Sequence, residues 1–421
     1  MPRNRAATLA VALCWIALLA PAAAPASAAT PGGTPELQAD LAHQLALAGP
    51  HDGAYVYDLS TKTALFSLRA ATLRAPASVE KLYTATAALQ LLGASTRLST
   101  TVLGTGQMGP LGVWEGDLYL HGGGDPTFGS TSFINSRYAG TGTSVNQLVQ
   151  SLVTADGIHE VTGRVLGDES YWDSRRGEPS SSYGFDPFLE GTLSALEFNR
   201  GAQGHVRGAH APAAYAASQL RSALKAAGVR VRGGSGAGTA PTGSTQLAAA
   251  LSPTVSELLG LMLPPSDNFF AESLVKDLGA RFGGAGTTPA GAAVIASELG
   301  SLLGFRPRIV DGSGLSEADH TSPYQVVSLL AGVYGTPIGN VLREHMAIAG
   351  RTGTLELRMR HTYAAGHCQG KTGTLTGVSN LAGYCTAADG HTLAFAIFND
   401  GISTYAAHVF QDHMTITIAG Y

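Results

Sequence analysis

Residues 82–96 carry no charged side chain and are dominated by Ala and Leu, which predicts a helix buried on most sides. Pro76 ahead of this run is a helix-start signal. Upstream, Leu37, Leu41, Leu45 and Leu47 predict a first helix over residues 35–48, and the runs 53–58 and 63–68 read as two strands joined by the polar turn Ser60-Thr61-Lys62. From about residue 97 the texture changes to short glycine-studded strands at 100–103, 116–120 and 163–166. A helix over 211–227, a strand at 229–231 and a Gly/Ser/Thr-rich connection at 233–244 end that region. Helical texture resumes at 255–263, 268–278, 290–303 and 324–333, and strands at 367–374, 379–386 and 393–399 close the chain. This order predicts a discontinuous α/β domain made of residues 29–96 and 250–421, interrupted by an inserted β-rich part at 97–249.

The N-terminus adds an address. Arg3 and Arg5, an apolar run over residues 6–20 and Ala26-Ser27-Ala28 read as a secretory signal peptide spanning residues 1–28. Cys14 follows Leu13 where a lipid anchor would need a small residue, so no such anchor is expected. No later stretch approaches the roughly 18 consecutive apolar residues of a membrane span, so the mature chain is expected to be exported without one. Without Arg3 and Arg5 the 26 basic residues fall to 24 against 30 acidic ones, a formal charge of −6. No basic block exists to hold nucleic acid or an anionic lipid surface.

Candidate chemistry begins at Ser78 and Lys81, three apart and so on one face of the helix start. A lysine kept neutral by burial can accept a serine proton without a histidine. The pattern Ser-x-x-Lys is weak alone: of five lysines, Lys225 follows Ser222 and Lys276 follows Ser273 at the same spacing. Ser222 lies on an amphipathic, solvated helix face, and Lys276 beside Asp277 reads as a surface ion pair. Only Ser78 opens an uncharged helix. Ser266-Asp267-Asn268 opens a later helix, and Lys371-Thr372-Gly373-Thr374 precedes a strand-like run. The ordered set SxxK, SxN and KTG is the signature of penicillin-recognising serine acyltransferases.

A near-repeat, Gly350-Arg351-Thr352-Gly353-Thr354-Leu355, precedes the last box by twenty residues. It continues into a charged, helix-friendly segment, whereas Lys371 leads into an alternating strand, so Lys371 is the better candidate and Arg351 is left a secondary role. Two cysteines survive export, Cys368 and Cys385. With Thr376-Gly377 as a two-residue hairpin tip they fall opposite each other, which predicts a disulfide; two unpaired buried thiols are the alternative.

Together these residues make the chain resemble the D-alanyl-D-alanine carboxypeptidase/endopeptidase group of low-molecular-mass penicillin-binding proteins. The resemblance also includes Gly-Gly-Gly-Asp125-Pro126, Asp311-Gly-Ser-Gly-Leu-Ser316 and Asn380-Leu-Ala-Gly-Tyr384, and covers nearly the whole mature sequence. It implies an α+β fold of the penicillin-binding/serine β-lactamase-like type: a five-stranded antiparallel sheet beside an all-helical region, with the site between them. The large insertion between the first two boxes is itself similar to this subgroup. The implied roles are Ser78 as nucleophile, Lys81 as base, Ser266 as proton relay to the leaving amine and Asn268 as ligand of the substrate backbone. Lys371, Thr372 and Thr374 would hold the terminal carboxylate, with Gly373 between them, and Lys371 would help keep Lys81 neutral by repulsion. The N–H groups of Ser78 and Thr374 would form the oxyanion hole. Asp267 is read as a helix N-cap. The implied partners are the peptidoglycan stem peptide and, as covalent inhibitors, β-lactams; no cofactor is implied. One departure is Glu317-Ala318-Asp319, where family members often carry a basic residue and then Asn. Facing the substrate's branch, that acidic pair would favour an amine. Asp168, Trp172 and Asp173 are further candidates to line the cleft.

Three rival functions compete with this one. A β-lactamase would need a Glu-x-x-Leu-Asn segment or a Tyr-x-Asn box, and neither exists in this sequence. A non-catalytic β-lactam- or wall-binding module would not need three intact boxes, and a serine esterase gives no reason for the Asp311 and Lys371 surroundings. The histidines are scattered without metal-ligand spacing, so no metal site is expected.

Overall fold

The computed structural model describes residues 33–201 and 210–421; the leader read over residues 1–28 lies outside the described residues. Six antiparallel strands form one sheet in the order Ala347–Ile348, Cys368–Leu375, Val378–Thr386, Thr392–Asp400, Gly53–Asp58 and Thr63–Leu68. The resemblance implied five; the sixth is a two-residue edge strand too short to leave a periodic signal. Strand alternation divides the core between the two faces. Phe395 and Ile397 face the helices Thr34–Ala48 and Thr404–Ala419, packing with Leu41, Leu45, Met414 and Ile418. Ala394, Ala396 and Phe398 face the opposite way, into a core shared with Val327, Leu330, Phe270 and Leu82 of the helical region.

The chain is closed by a helix rather than by the expected strands. Thr404–Ala419 mixes Thr, Ile and aromatic residues that individually favour strands, but its buried positions Ala407, Gln411, Met414, Thr415 and Ile418 recur at helical spacing. Ser403 caps it, its side chain accepting from the Ala406 N–H.

A second sheet is built on the hairpin of Arg97–Met108 with Val113–Gly122, with Thr245–Thr254 antiparallel to the first of these. Short parallel strands extend it, and Trp114, Leu118, Leu148 and Leu220 form its own core. Thr245–Thr254 is absent from the sequence reading, which assigns no element between the connection at 233–244 and the helical texture from 255. Its Ala-rich run hides an alternation in which Ala248 and Ala250 are buried while Leu251 is exposed. Among the described residues, no single helix is long and apolar enough to cross a membrane.

The hairpin Cys368–Leu375/Val378–Thr386 turns at Thr376-Gly377, with Gly377 at φ 75°. Its register sets Cys368 directly opposite Cys385, Cα atoms 4.1 Å apart, and the two sulfurs are bonded.

Candidate active site

The helix Lys81–Leu91 has nine of its eleven residues buried, so the amine at its first residue is carried into the interior. A 3-10 turn, Ala77–Glu80, leads into it and leaves Ser78 half-buried at the mouth. Two glycines make this turn possible. A Cβ at Gly314 would meet the Ala77 carbonyl oxygen at 1.9 Å, and one at Gly373 would meet the Pro76 oxygen at 2.5 Å and the Ser78 nitrogen at 3.1 Å. The Asn380 side chain donates to the carbonyls of Ala75 and Pro76, both at 2.9 Å, tying the approach to Ser78 to the sheet.

Lys81 Nζ lies 2.8 Å from Ser78 Oγ, 2.6 Å from Asn268 Oδ1 and 2.7 Å from the Ser313 carbonyl oxygen. None of these partners is a carboxylate. Burial pulls the Lys81 amine down to about 8, against the opposing pull of Asp311, Glu272, Asp267 and Glu80. With two N–H bonds spent on Asn268 and Ser313, a neutral amine turns its lone pair toward the Ser78 hydroxyl. The Ser313 carbonyl is aimed by buried carboxyls: Glu272 Oε1 accepts from the Gly312 and Ser313 N–H groups at 2.9 Å, and Asp311 accepts from Ser313, Gly314 and Ser316. Burial and the nearby Asp311 push Glu272 up to about 8, and the same two causes hold Glu80 well above the usual range.

On the facing strand, Lys371 Nζ is 2.7 Å from Ser266 Oγ and donates to the Thr372 carbonyl at 2.7 Å. Burial first, and then repulsion from Lys81, holds its amine well below the lysine range. The repulsion expected to act on Lys81 is thus felt by Lys371. Ser266 occupies φ 66°, a left-handed conformation uncommon outside glycine. Asp267 caps the helix Asn268–Phe282 by accepting from the Phe270 N–H. The structure therefore brings Ser78, Lys81, Ser266, Asn268 and Lys371 into one constellation. Gly373 abuts Ser78, Thr374 is exposed on the same strand, and Thr372 is buried with its hydroxyl 2.8 Å from Thr354 Oγ1. The edge strand Ala347–Ile348 pairs with Gly370 and Gln369, and among the described residues no strand pairs with the outer edge from Thr372 onward.

Other sequence readings change. Lys276 is not on the surface: it is fully buried and paired with Asp173 at 2.6 Å, while Asp277 pairs with Arg281. The neighbour in sequence points elsewhere, and the real partner comes from 103 residues away. Asp319 is also buried and accepts from the backbone at Val310, so only Glu317 of the acidic pair is exposed. Asp168 is engaged by His121 and the N–H groups of Ser170 and Ala240; Trp172 and Asp173 line a cavity with Ala237–Thr239 that none of the boxes reaches. The near-repeat proves relevant through Thr354, whose N–H donates to the Pro264 carbonyl beside the Ser266 box. Arg200 left no motif in the sequence, and neither Glu272 nor Ser313, although Ser313 lies within the Asp311–Ser316 motif, could be given a role there, since each acts through a contact between distant segments. Among the described residues no group of three His, Cys, Asp or Glu could hold a metal ion.

A cavity of about 510 Å³ adjoins Ser266 and Asn268, lined also by Arg137, Tyr138, Phe188 and Glu190. Known proteins share this arrangement of elements. A D-alanyl-D-alanine carboxypeptidase of Actinomadura sp. is 30% identical over all of this chain and 91% of its own. The crystal structure of penicillin binding protein 4 from Haemophilus influenzae superposes with a TM-score of 0.75 at 21% identity, covering 89% of this chain and 97% of that one. The same Haemophilus protein complexed with a β-lactam gives 0.70 at the same identity and coverage. The model of the D-Ala-D-Ala carboxypeptidase 3 (S13) family matches residues 35–186 and 189–420. The chain belongs to that family.

Proposed function

We propose that this protein is a serine D-Ala-D-Ala carboxypeptidase that cleaves peptidoglycan stem peptides through an acyl-enzyme on Ser78 and is acylated there by β-lactams. The observation that carries the reading is the buried Lys81 amine, 2.8 Å from Ser78 Oγ and in contact only with neutral acceptors. Lys81 takes the Ser78 proton as the oxygen attacks the penultimate D-Ala carbonyl; the new C–O bond forms and the amide C–N bond breaks as a proton reaches the leaving amine. Ser266, between Lys371 and the bond to be cut, relays that proton. The free strand edge from Thr372 onward suits an extended peptide adding as a further strand. The Ser78 and Thr374 N–H groups then receive the developing oxyanion. The Lys371 amine and the exposed Thr374 hydroxyl meet the terminal carboxylate, whose charge restores the proton that burial disfavours on Lys371. The Asn268 amide takes the peptide backbone. Glu317, exposed at the end of the Asp311–Ser316 turn, gives the substrate branch an acidic neighbour.

Residues 97–249 form an inserted domain in this reading, supported by their separate sheet and core. Peptidoglycan lies outside the cytoplasmic membrane, so the work is extracytoplasmic, with residues 1–28 as the export leader and an oxidised Cys368–Cys385 pair in the mature protein. The test is release of D-Ala from a D-Ala-D-Ala peptide together with mass spectrometry after penicillin. The wild type should release D-Ala and carry a stable adduct on Ser78, and Ser78→Ala should do neither. Rapid catalytic destruction of penicillin would favour a β-lactamase, and an adduct on another residue would overturn the site.

A further inference from the structure

The box Ser266-Asp267-Asn268 is held from the second-sheet side by one short segment, residues 187–201. Arg200, 4% exposed, makes a two-pronged contact with Asp267: Nη1 to Oδ2 at 2.9 Å and Nη2 to Oδ1 at 2.5 Å. Its guanidinium lies 4.5 Å from the centre of the Phe269 ring. Twelve positions earlier in the chain, the Phe188 carbonyl accepts from Asn268 Nδ2 at 2.8 Å. That second contact fixes which end of the Asn268 amide faces which way. With Nδ2 on Phe188, Oδ1 is the atom presented to Lys81, and one N–H is left over for a substrate.

Both sides of this clasp are backbone conformations that need support. Asn199 and Arg200 are consecutive non-glycine residues at φ 55° and 59°, and Ser266 sits at 66°. Such residues persist only where surrounding contacts over-determine them. Here Asn199 Oδ1 accepts from the Ser130 N–H and its own N–H donates to the Phe128 carbonyl, while the Arg200 carbonyl accepts from Thr192. The second-sheet region thus commits several contacts to presenting the Arg200 guanidinium to Asp267, with Glu190 a more distant second carboxylate 3.9 Å from Nη1. Asp267 stands between the two side chains that touch Lys371 and Lys81.

We propose that Arg200 is a positioning residue for acyl transfer: with the Phe188 carbonyl it holds Ser266 and Asn268 in register with Lys81 and Lys371, so the segment 187–201 completes the active site. The inference rests on the function proposed above. Loss of the guanidinium frees a carboxylate already committed to capping its helix, and the left-handed Ser266 loses the anchor next to it in sequence. Misplacement of reacting groups by about 1 Å costs on the order of 100-fold in rate.

The test measures D-Ala release per penicillin-titrated site in Arg200→Ala, Arg200→Lys and Asp267→Asn. Asn retains N-cap ability at 267 while giving up the ion pair. The expected result is a kcat per titrated site about 10–100-fold lower in Arg200→Ala, with KM within about threefold of wild type and partial recovery in Arg200→Lys. A merely structural role would lower the titratable fraction and the melting temperature but leave kcat per site unchanged, and that outcome overturns the proposal. Should Arg200→Ala not fold, wild-type turnover per site in both Arg200→Lys and Asp267→Asn overturns it equally. Failure of the wild type to release D-Ala, or penicillin labelling that survives Ser78→Ala, would count against the proposed function instead.

Discussion

Two places in this molecule carry a serine followed three residues later by a fully buried lysine, and only one is built for chemistry. At Ser78/Lys81 the pair straddles a helix start, and the amine meets a hydroxyl, an amide oxygen and a carbonyl. At Ser273/Lys276 the pair lies inside the helix Asn268–Phe282, where Ser273 Oγ donates back to the Phe269 carbonyl. Lys276 there meets the Asp173 carboxylate at 2.6 Å and the Arg175 carbonyl at 2.8 Å. Burial depresses both amines, but at Lys276 direct contact with the Asp173 carboxylate opposes it. Spacing sets the distance between two groups; the atoms around the nitrogen set what it can do.

The sharpest way to break this contrast is by substitution. Lys81→Met should lower the rate of penicillin acylation by about 10²–10⁴-fold, the usual contribution of a placed general base, while Ser273→Ala should label like wild type. The reverse pattern, read by gel fluorescence with a tagged penicillin, would undo the assignment. Next in size, Lys276→Met should act on stability and not on turnover. It strands Asp173, a partly buried charge, and removal of one member of a buried pair costs about 3–5 kcal/mol; Asp173 is 22% exposed, which favours the lower end. A fall in the urea midpoint with unchanged kcat per titrated site is the expected outcome.

The finest distinction is one of pH. In the proposed role as base Lys81 must lose its proton, and burial brings it from 10.5 to about 8. Acylation should therefore rise with pH, by about tenfold per unit below that value, and level off above it. An unperturbed lysine would put the bend more than two units higher, so a stopped-flow profile still climbing steeply at pH 9.5 would show that the amine is not held as described.

The sequence made some of this architecture readable and hid the rest for physical reasons. The strands Gly53–Asp58 and Thr63–Leu68, set off by the polar turn Ser60-Thr61-Lys62, lie to the residue where the sequence predicts them. The helix Lys81–Leu91 announced itself by an uncharged run. Thr404–Ala419 did not, because its residues prefer strands one by one and only their burial is helical. In the candidate site, the groups with a short motif around them could be picked out. The contacts that aim them could not: Ser313, although inside the Asp311–Ser316 motif, reaches Lys81 across 232 positions, and Arg200 reaches Asp267 across 67. Periodicity reports on neighbours along the chain, and buried polar contacts of this kind are settled by folding.

The absence of a side chain at Gly373 has a consequence for how such a protein can change under antibiotic pressure. Any larger residue there would collide with main-chain atoms of Pro76 and Ser78, which cannot swing aside as a side chain could. A β-lactam and a natural peptide would have to pass the same bare stretch of strand. With Ser78 as the proposed nucleophile, a side chain at 373 that narrowed this passage would also press on the backbone that carries it.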